Sequence, residues 1–208
     1  MKICHIVGAG EMGGARVAPD QGDFVIAADA GYAELIRQGV KPDLVVGDFD
    51  SLGEVPAGET VVRHPVMKDD TDMMLAVKLG LERGYRDFRL YGALGGRLDH
   101  TLANIQTLQY LAARDARGVI VGDVCLAAVK NGALRFRAAA KGTISVFCLG
   151  ASARGVFLEG LLYPLADYAM TPDFPIGVSN EFTGAPSSVS VRDGCLVAVF
   201  GSPDFLED

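Results

Sequence analysis

Residues 41–51 read KPDLVVGDFDS. The run Leu44–Val46 is short, apolar and rich in β-branched side chains, which suits a buried strand. It ends in Gly47, Asp48, Asp50 and Ser51, residue types that commonly close strands. Two acids at i and i+2 go beyond a turn. In extended chain they point to the same side, so they repel unless a cation lies between them. Mg²⁺ meets that need, since it takes one or two carboxylates together with substrate phosphates.

Outward from this stretch, the first half of the chain repeats one grammar. KICHIVGAG (2–10), DFVIAADAG (23–31), ETVVRHPV (59–66) and FRLYGALGG (88–96) are strand-like runs that close on Gly, Asp or Pro. Between them lie helical patterns: GYAELIRQG (31–39) with Leu35 and Ile36 inward, TDMMLAVKLGLERG (71–84), and LDHTLANIQTLQYLAAR (98–114). The last carries Leu98, Leu102, Ile105, Leu108 and Leu111 at helical spacing. Such alternation predicts a mostly parallel sheet with helices on its faces, a three-layer α/β domain over 1–118.

After Gly118 the grammar changes. VCLAAVK-NG-ALRFRA (124–138) reads as a hairpin turning at Asn131-Gly132, the strongest two-residue turn signal. TISVFCLG, GVFLEGLLYPL and SVSVRDGCLVAVF follow as strand-length runs, the last turning at Asp193-Gly194. Residues 119–208 are therefore expected to form an all-β sandwich.

The bulk numbers narrow the function. Of 208 residues half are hydrophobic, which supports a well-buried core and argues against disorder. A net charge of −7 argues against a nucleic-acid surface. No apolar run reaches the roughly 20 residues of a membrane span. Cys4, Cys125, Cys148 and Cys195 stand far apart, with neither CxxC pair nor disulfide framework, and His5, His64 and His100 lack zinc-ligand spacing. Reduced, buried thiols in a cytoplasmic protein are the expectation.

Three further motifs could carry chemistry. Gly8-Ala9-Gly10-Glu11-Met12-Gly13 matches GxGxxG after a strand, with Asp29 at the end of the next. Pro19 and Gly22 leave no room for the helix that a dinucleotide fingerprint requires, so the loop is expected to offer backbone N–H groups to a phosphate instead. Lys68-Asp69-Asp70-Thr71-Asp72 precedes a helix; acids and Thr cap helices, yet three acids behind a lysine exceed that need. Gly95-Gly96-Arg97-Leu98-Asp99-His100 again joins a strand to a helix, with glycines that permit close approach and an arginine that can fork onto phosphate oxygens. Together these strand ends bring Asp29, Asp48, Asp50, Asp72, Arg97 and Asp99 to the C-terminal edge of the sheet, where open α/β folds bind ligands. Clustered acids, an arginine and glycine-rich loops describe a Mg–nucleotide site for phosphoryl transfer. Neither a Walker A loop nor a protein-kinase catalytic loop is present.

At these residues the chain resembles the thiamine pyrophosphokinases. ADAG (28–31), GDFDS (47–51), KDDTD (68–72) and GGRLDH (95–100) stand in that family's order and spacing, and VSNEF (178–182) resembles its thiamine-side motif. The resemblance implies transfer of pyrophosphate from ATP to the thiamine hydroxyl, giving thiamine diphosphate and AMP. It also implies Mg²⁺ and a homodimer. Carried over residue by residue, Asp48, Asp50 and Asp72 would hold the metal and, with Arg97, carry catalysis. Asp29, Lys68, Asp69, Arg97 and Asp99 would bind ATP, and Ser179 and Asn180 would contact thiamine. The chain has no Trp, so stacking on thiamine would fall to Phe182 or Tyr163. A pyrophosphokinase of another hydroxymethyl heterocycle, such as a pterin, and a non-catalytic Mg–nucleotide binder are the rival readings.

Overall fold

The computed structural model describes residues 2–47, 61–63 and 70–207. It forms two compact units, Met1–Thr107 with Ile120–Asp123 and Leu108–Val119 with Val124–Asp208. The protein is a mixed α/β structure.

In the first unit, β1 (Ile3–Val7), β2 (Phe24–Ala28), β3 (Leu44–Gly47), β4 (Val61–Arg63) and β5 (Asp87–Tyr91) run parallel in the order β4-β3-β2-β1-β5. β1, β2 and β3 are buried almost without interruption, the pattern of parallel strands rather than of half-solvated ones. No helix occurs between β1 and β2, as Pro19 and Gly22 predict.

Helix α1 (Gly31–Arg37) buries Leu35 fully, but Ile36 is 50% exposed, which corrects the expectation that both point inward. A seven-residue helix presents one narrow stripe, and Leu35 fills it. Helix α2 (Asp72–Glu82) starts where Thr71 Oγ1 accepts the N–H of Met74 at 3.2 Å, an N-cap.

Helix α3 (Leu98–Ala112) departs from its leucine pattern. Leu108 and Leu111 are buried, yet Leu98 and Leu102 are 71% and 56% exposed. The inward stripe of the first turns runs instead through the polar residues Asn104 and Thr107, both buried. Of the two, Asn104 reaches the site cavity.

β6 (Arg117–Val121) has residues in both units. In the second unit β7 (Cys125–Lys130), β14 (Cys195–Phe200), β9 (Thr143–Cys148) and β12 (Asn180–Glu181) are antiparallel neighbours in that order. A four-stranded antiparallel sheet holds β11 (Leu165–Met170), β10 (Ala153–Glu159), β13 (Ser187–Asp193) and β8 (Ala133–Phe136).

The expected hairpin at Asn131-Gly132 is not formed. β7 pairs with β14 and β8 with β13, so the turn is a corner between sheets. Asn131 takes φ +48° while Gly132 does not take positive φ, whereas the tight hairpin turn needs both residues there. Asp193-Gly194 is a second such corner. The two are stitched together, Gly194 N–H donating to Asn131 Oδ1 at 2.9 Å and Asn131 N–H to the Gly194 carbonyl at 3.1 Å. Between the sheets, Phe136 of β8 meets Phe200 of β14 edge-on at 5.2 Å.

None of the four cysteines forms a disulfide, and Cys4, Cys125 and Cys195 are buried. Burial pushes the Cys4 thiol up to about 12, so it stays protonated and inert. Among the described residues no helix is long and apolar enough to cross a membrane.

Candidate active site

The strand order reverses at β1, whose neighbours are β2 on one side and β5 on the other. Open α/β sheets bind ligands in the crevice at such a switch point. A cavity of about 370 Å³ lies there, at the C-terminal ends of β1 and β5, lined by residues that include Gly8–Gly10, Asp29, Asp72, Gly92–Arg97, His100 and Asn104.

One wall is the glycine loop after β1. Gly8 N–H donates to the Tyr91 carbonyl at 2.8 Å, Gly10 N–H to that of Gly92 at 2.9 Å, and Glu11 N–H to that of Leu94 at 2.9 Å. These three donors are taken up by the facing loop and are not free for a phosphate, while Ala9 between them lines the cavity. Close approach of the facing loop also explains the glycine. A Cβ on Gly10 would stand 2.6 Å from the Gly92 oxygen and 2.7 Å from that of Leu94.

Asp29 leaves β2 at φ +51°, a left-handed conformation that Asp tolerates better than most residues, and its Oδ1 is buried. Its N–H donates to the Val46 carbonyl at 2.8 Å, and a Cβ on Gly47 would come within 3.3 Å of its Cα. The end of β3 therefore abuts Asp29, and Asp48 follows next in sequence. Asp48, Asp50, Lys68 and Asp69 themselves lie outside the described residues.

The KDDTD stretch divides its labour. Asp70, just before α2, accepts from Lys78 Nζ on that helix at 2.8 and 2.6 Å, a partly exposed pair. Thr71 is the cap. Asp72, half-buried in the first turn, faces the cavity with Asp29. Among the described residues no group of three or more His, Cys, Asp or Glu is placed to hold a metal.

Arg97 also lines the cavity, but its guanidinium is engaged. Nε and Nη2 fork onto Asp99 at 3.2 and 2.6 Å, with both side chains well exposed. This hydrogen-bonded pairing raises the Arg97 pKa and lowers that of Asp99. His100 is exposed at the rim.

Asn104 is the pocket residue that sequence reading missed. It is 6% exposed, and its Nδ2 donates to the Ala93 carbonyl at 2.8 Å. The available signal was a polar residue at an inward position of α3.

In the second unit, Ser179 is exposed at φ +57°, its N–H donating to Ser145 Oγ at 3.0 Å. Asn180 is 3% exposed. Its Oδ1 accepts the N–H groups of Tyr163 and Glu181, each at 2.9 Å, while Nδ2 donates to the Tyr163 carbonyl at 2.7 Å. Its amide thus clamps the backbone of Tyr163, a residue 62% exposed. Phe182 is buried against Phe136, with ring centroids 5.2 Å apart, which removes it as a stacking surface.

Comparison with known proteins agrees across the chain. The thiamin pyrophosphokinase catalytic domain matches residues 18–120, and the thiamin pyrophosphokinase vitamin B1 binding domain matches residues 134–196. A thiamine pyrophosphokinase of Bacillus subtilis is 27% identical, with 96% of this chain and 98% of that protein covered. The crystal structure of thiamine pyrophosphokinase from Bacillus subtilis matches with a TM-score of 0.85 at 25% identity, covering 97% of this chain and 100% of that one. That of thiamin pyrophosphokinase from Geobacillus thermodenitrificans gives 0.80 at 27% identity, covering 96% and 97%. Catalytic and vitamin-binding halves in this order, on a fold shared end to end, place the chain in the thiamine pyrophosphokinase family of enzymes.

Proposed function

We propose that the chain transfers the pyrophosphoryl group of ATP to the hydroxyl of thiamine, giving thiamine diphosphate and AMP. The observation that carries this reading is the cavity at the switch point, where Asp29 from the end of β2, Asp72 from the first turn of α2 and Arg97 from the loop after β5 meet. The alcohol attacks the β-phosphorus in line, so the protein must chiefly position the reactants and offset charge on phosphate oxygens.

Carboxylates in the cavity wall are the hard oxygen donors that Mg²⁺ takes, so the residues present fit that ion. Asp48, Asp50 and Asp72 would hold it, and it would neutralise phosphate charge. Asp29, Lys68, Asp69 and Asp99 would orient ATP. Arg97 would exchange its fork on Asp99 for phosphate oxygens. Ser179 would meet thiamine directly, whereas Asn180 would act through Tyr163, whose exposed ring can cover a flat cation.

The wider assignments follow from the same reading. Exposed Leu162, Tyr163, Phe174, Ile176 and Val178 form an apolar set that supports a homodimer. Mostly buried thiols outside any disulfide support a cytoplasmic protein. We read 1–118 as the ATP domain, with helices on both sheet faces, and 119–208 as a thiamine-binding sandwich, which the Phe136–Phe200 contact between sheets supports.

The test is AMP formation by the purified protein with Mg–ATP and thiamine, and separately with a reduced pterin. AMP with thiamine alone is expected. AMP with the pterin alone would move the substrate, and none with either would overturn the enzymatic reading.

A further inference from the structure

The Gly95-Gly96-Arg97 loop has two groups suited to phosphate, and each already holds a carboxylate of the chain itself. Arg97 holds Asp99. The Gly96 N–H donates at 3.2 Å to Oε1 of Glu11, a residue 85 positions away. Glu11 is tied to this loop by its backbone as well, its N–H donating to the Leu94 carbonyl at 2.9 Å. The contact depends on the glycine beside it. A Cβ on Gly95 would stand 2.6 Å from Glu11 Cδ, and Gly95 and Gly96 take φ +76° and +60°. Successive N–H groups in such left-handed turns make a concavity for anions, and here the Gly96 N–H is taken by a carboxylate oxygen.

We infer that Glu11 is an internal competitor for the phosphate groups that the Gly95–Arg97 loop binds, and so sets the affinity of this site for ATP and for pyrophosphate. The inference rests on the ATP reading above. An incoming phosphate takes the Gly96 N–H from Glu11, and the carboxylate swings into solvent, where it is already exposed. On product departure it returns, so the loop's donor stays satisfied between turnovers and product is not held. Glu11 thereby trades ground-state affinity for release, an exchange that favours rate where substrate is abundant.

Removing Glu11 should tighten binding. For an exposed, charge-assisted contact the expected gain is about three- to five-fold. Calorimetry with inorganic pyrophosphate and with ATP, each with Mg²⁺, should show Glu11→Ala binding tighter than wild type by that factor, with KM for ATP falling in parallel. Glu11→Gln keeps an amide oxygen as acceptor but loses the charge, so it should fall between the two. The Gly96 amide proton resonance reports the contact directly. It should move in Glu11→Ala, and titration of the wild type with pyrophosphate should shift it again.

Weaker binding in Glu11→Ala would overturn the inference and make Glu11 a brace for the loop. Unchanged binding would overturn it equally. A Gln variant as tight as the Ala variant, with an unmoved Gly96 resonance, would reduce the effect to charge alone and overturn the competition. If wild type forms no AMP from ATP and thiamine, the functional reading fails. An active wild type whose Glu11 variants bind no tighter fails this inference only.

Discussion

Asn104 Nδ2 stands 2.8 Å from the carbonyl oxygen of Ala93, so a buried residue of α3 grips the loop that forms one wall of the cavity. Asn104→Leu keeps the volume and removes the donor, leaving a buried carbonyl without its partner. Such a loss costs about 1–3 kcal/mol. We expect urea denaturation to show that loss, and KM for ATP to rise more than kcat falls. A Leu variant with wild-type stability and wild-type KM would show that the grip is idle.

Tyr163 and Asn180 should act on thiamine as one unit, since the Asn180 amide binds both backbone groups of Tyr163. Tyr163→Ala should raise KM for thiamine while leaving KM for ATP in place. Asn180→Ala should do the same and also lower thermal stability, because it removes the partners of part-buried backbone groups of Tyr163 and Glu181. Thiamine kinetics unaffected by Tyr163→Ala would move the stacking surface elsewhere.

His5 makes folding stability sensitive to pH. It is buried, its Nε2 facing Asp23 Oδ2 at 3.1 Å and its Nδ1 the Tyr91 hydroxyl at 3.2 Å. Burial lowers its pKa from the ordinary 6.5, although Asp23 pulls the other way. For Asp23 burial works upward, but the N–H groups of Ile3 and Asp20 and the His5 contact outweigh it, and its pKa is lowered. The arrangement is a neutral imidazole donating Nε2–H to a carboxylate. Below 6.5 the unfolded chain takes up a proton that the folded chain declines, so stability is full above 6.5 and declines as pH falls towards the folded value. His5→Gln should flatten the stability profile in that window. A variant with the same slope as wild type would place the titration elsewhere.

Much of the fold was readable in the sequence, and the misses have particular physical causes. The parallel sheet came from strand–helix alternation, and the cap at Thr71 and the turn into Asp72 from residue type. Leu98 and Leu102 misled because hydrophobic spacing marks a face without saying what lies against it, and here the buried face carries Asn104 and Thr107. The Asn131-Gly132 turn was visible, but its partner was not, since a corner and a hairpin differ only in which distant strand pairs. β11, with sequence LADYAM and only Met170 buried, lacks the β-branched run that marks a strand. For the glycine loop after β1, composition showed close approach but not what approaches, which is a facing loop.

Arg97 gives the sharpest test of the transfer step. Its planar fork already matches a carboxylate in two bonds, 3.2 and 2.6 Å to Asp99, and phosphate oxygens offer the same geometry. A lysine keeps the charge but cannot make the pair of parallel bonds. If the fork tightens on phosphate oxygens as charge shifts during transfer, its loss slows the chemical step more than it weakens ATP binding. Arg97→Lys should then lower kcat on the order of 10²-fold, the scale of one lost charge-stabilising donor, with the ATP dissociation constant moving far less. Single-turnover kinetics beside calorimetry separates the two. Weaker ATP binding at an unchanged kcat would make Arg97 a ground-state contact. No change in either would leave the Arg97–Asp99 pair a solvated surface contact, and remove Arg97 from the reaction.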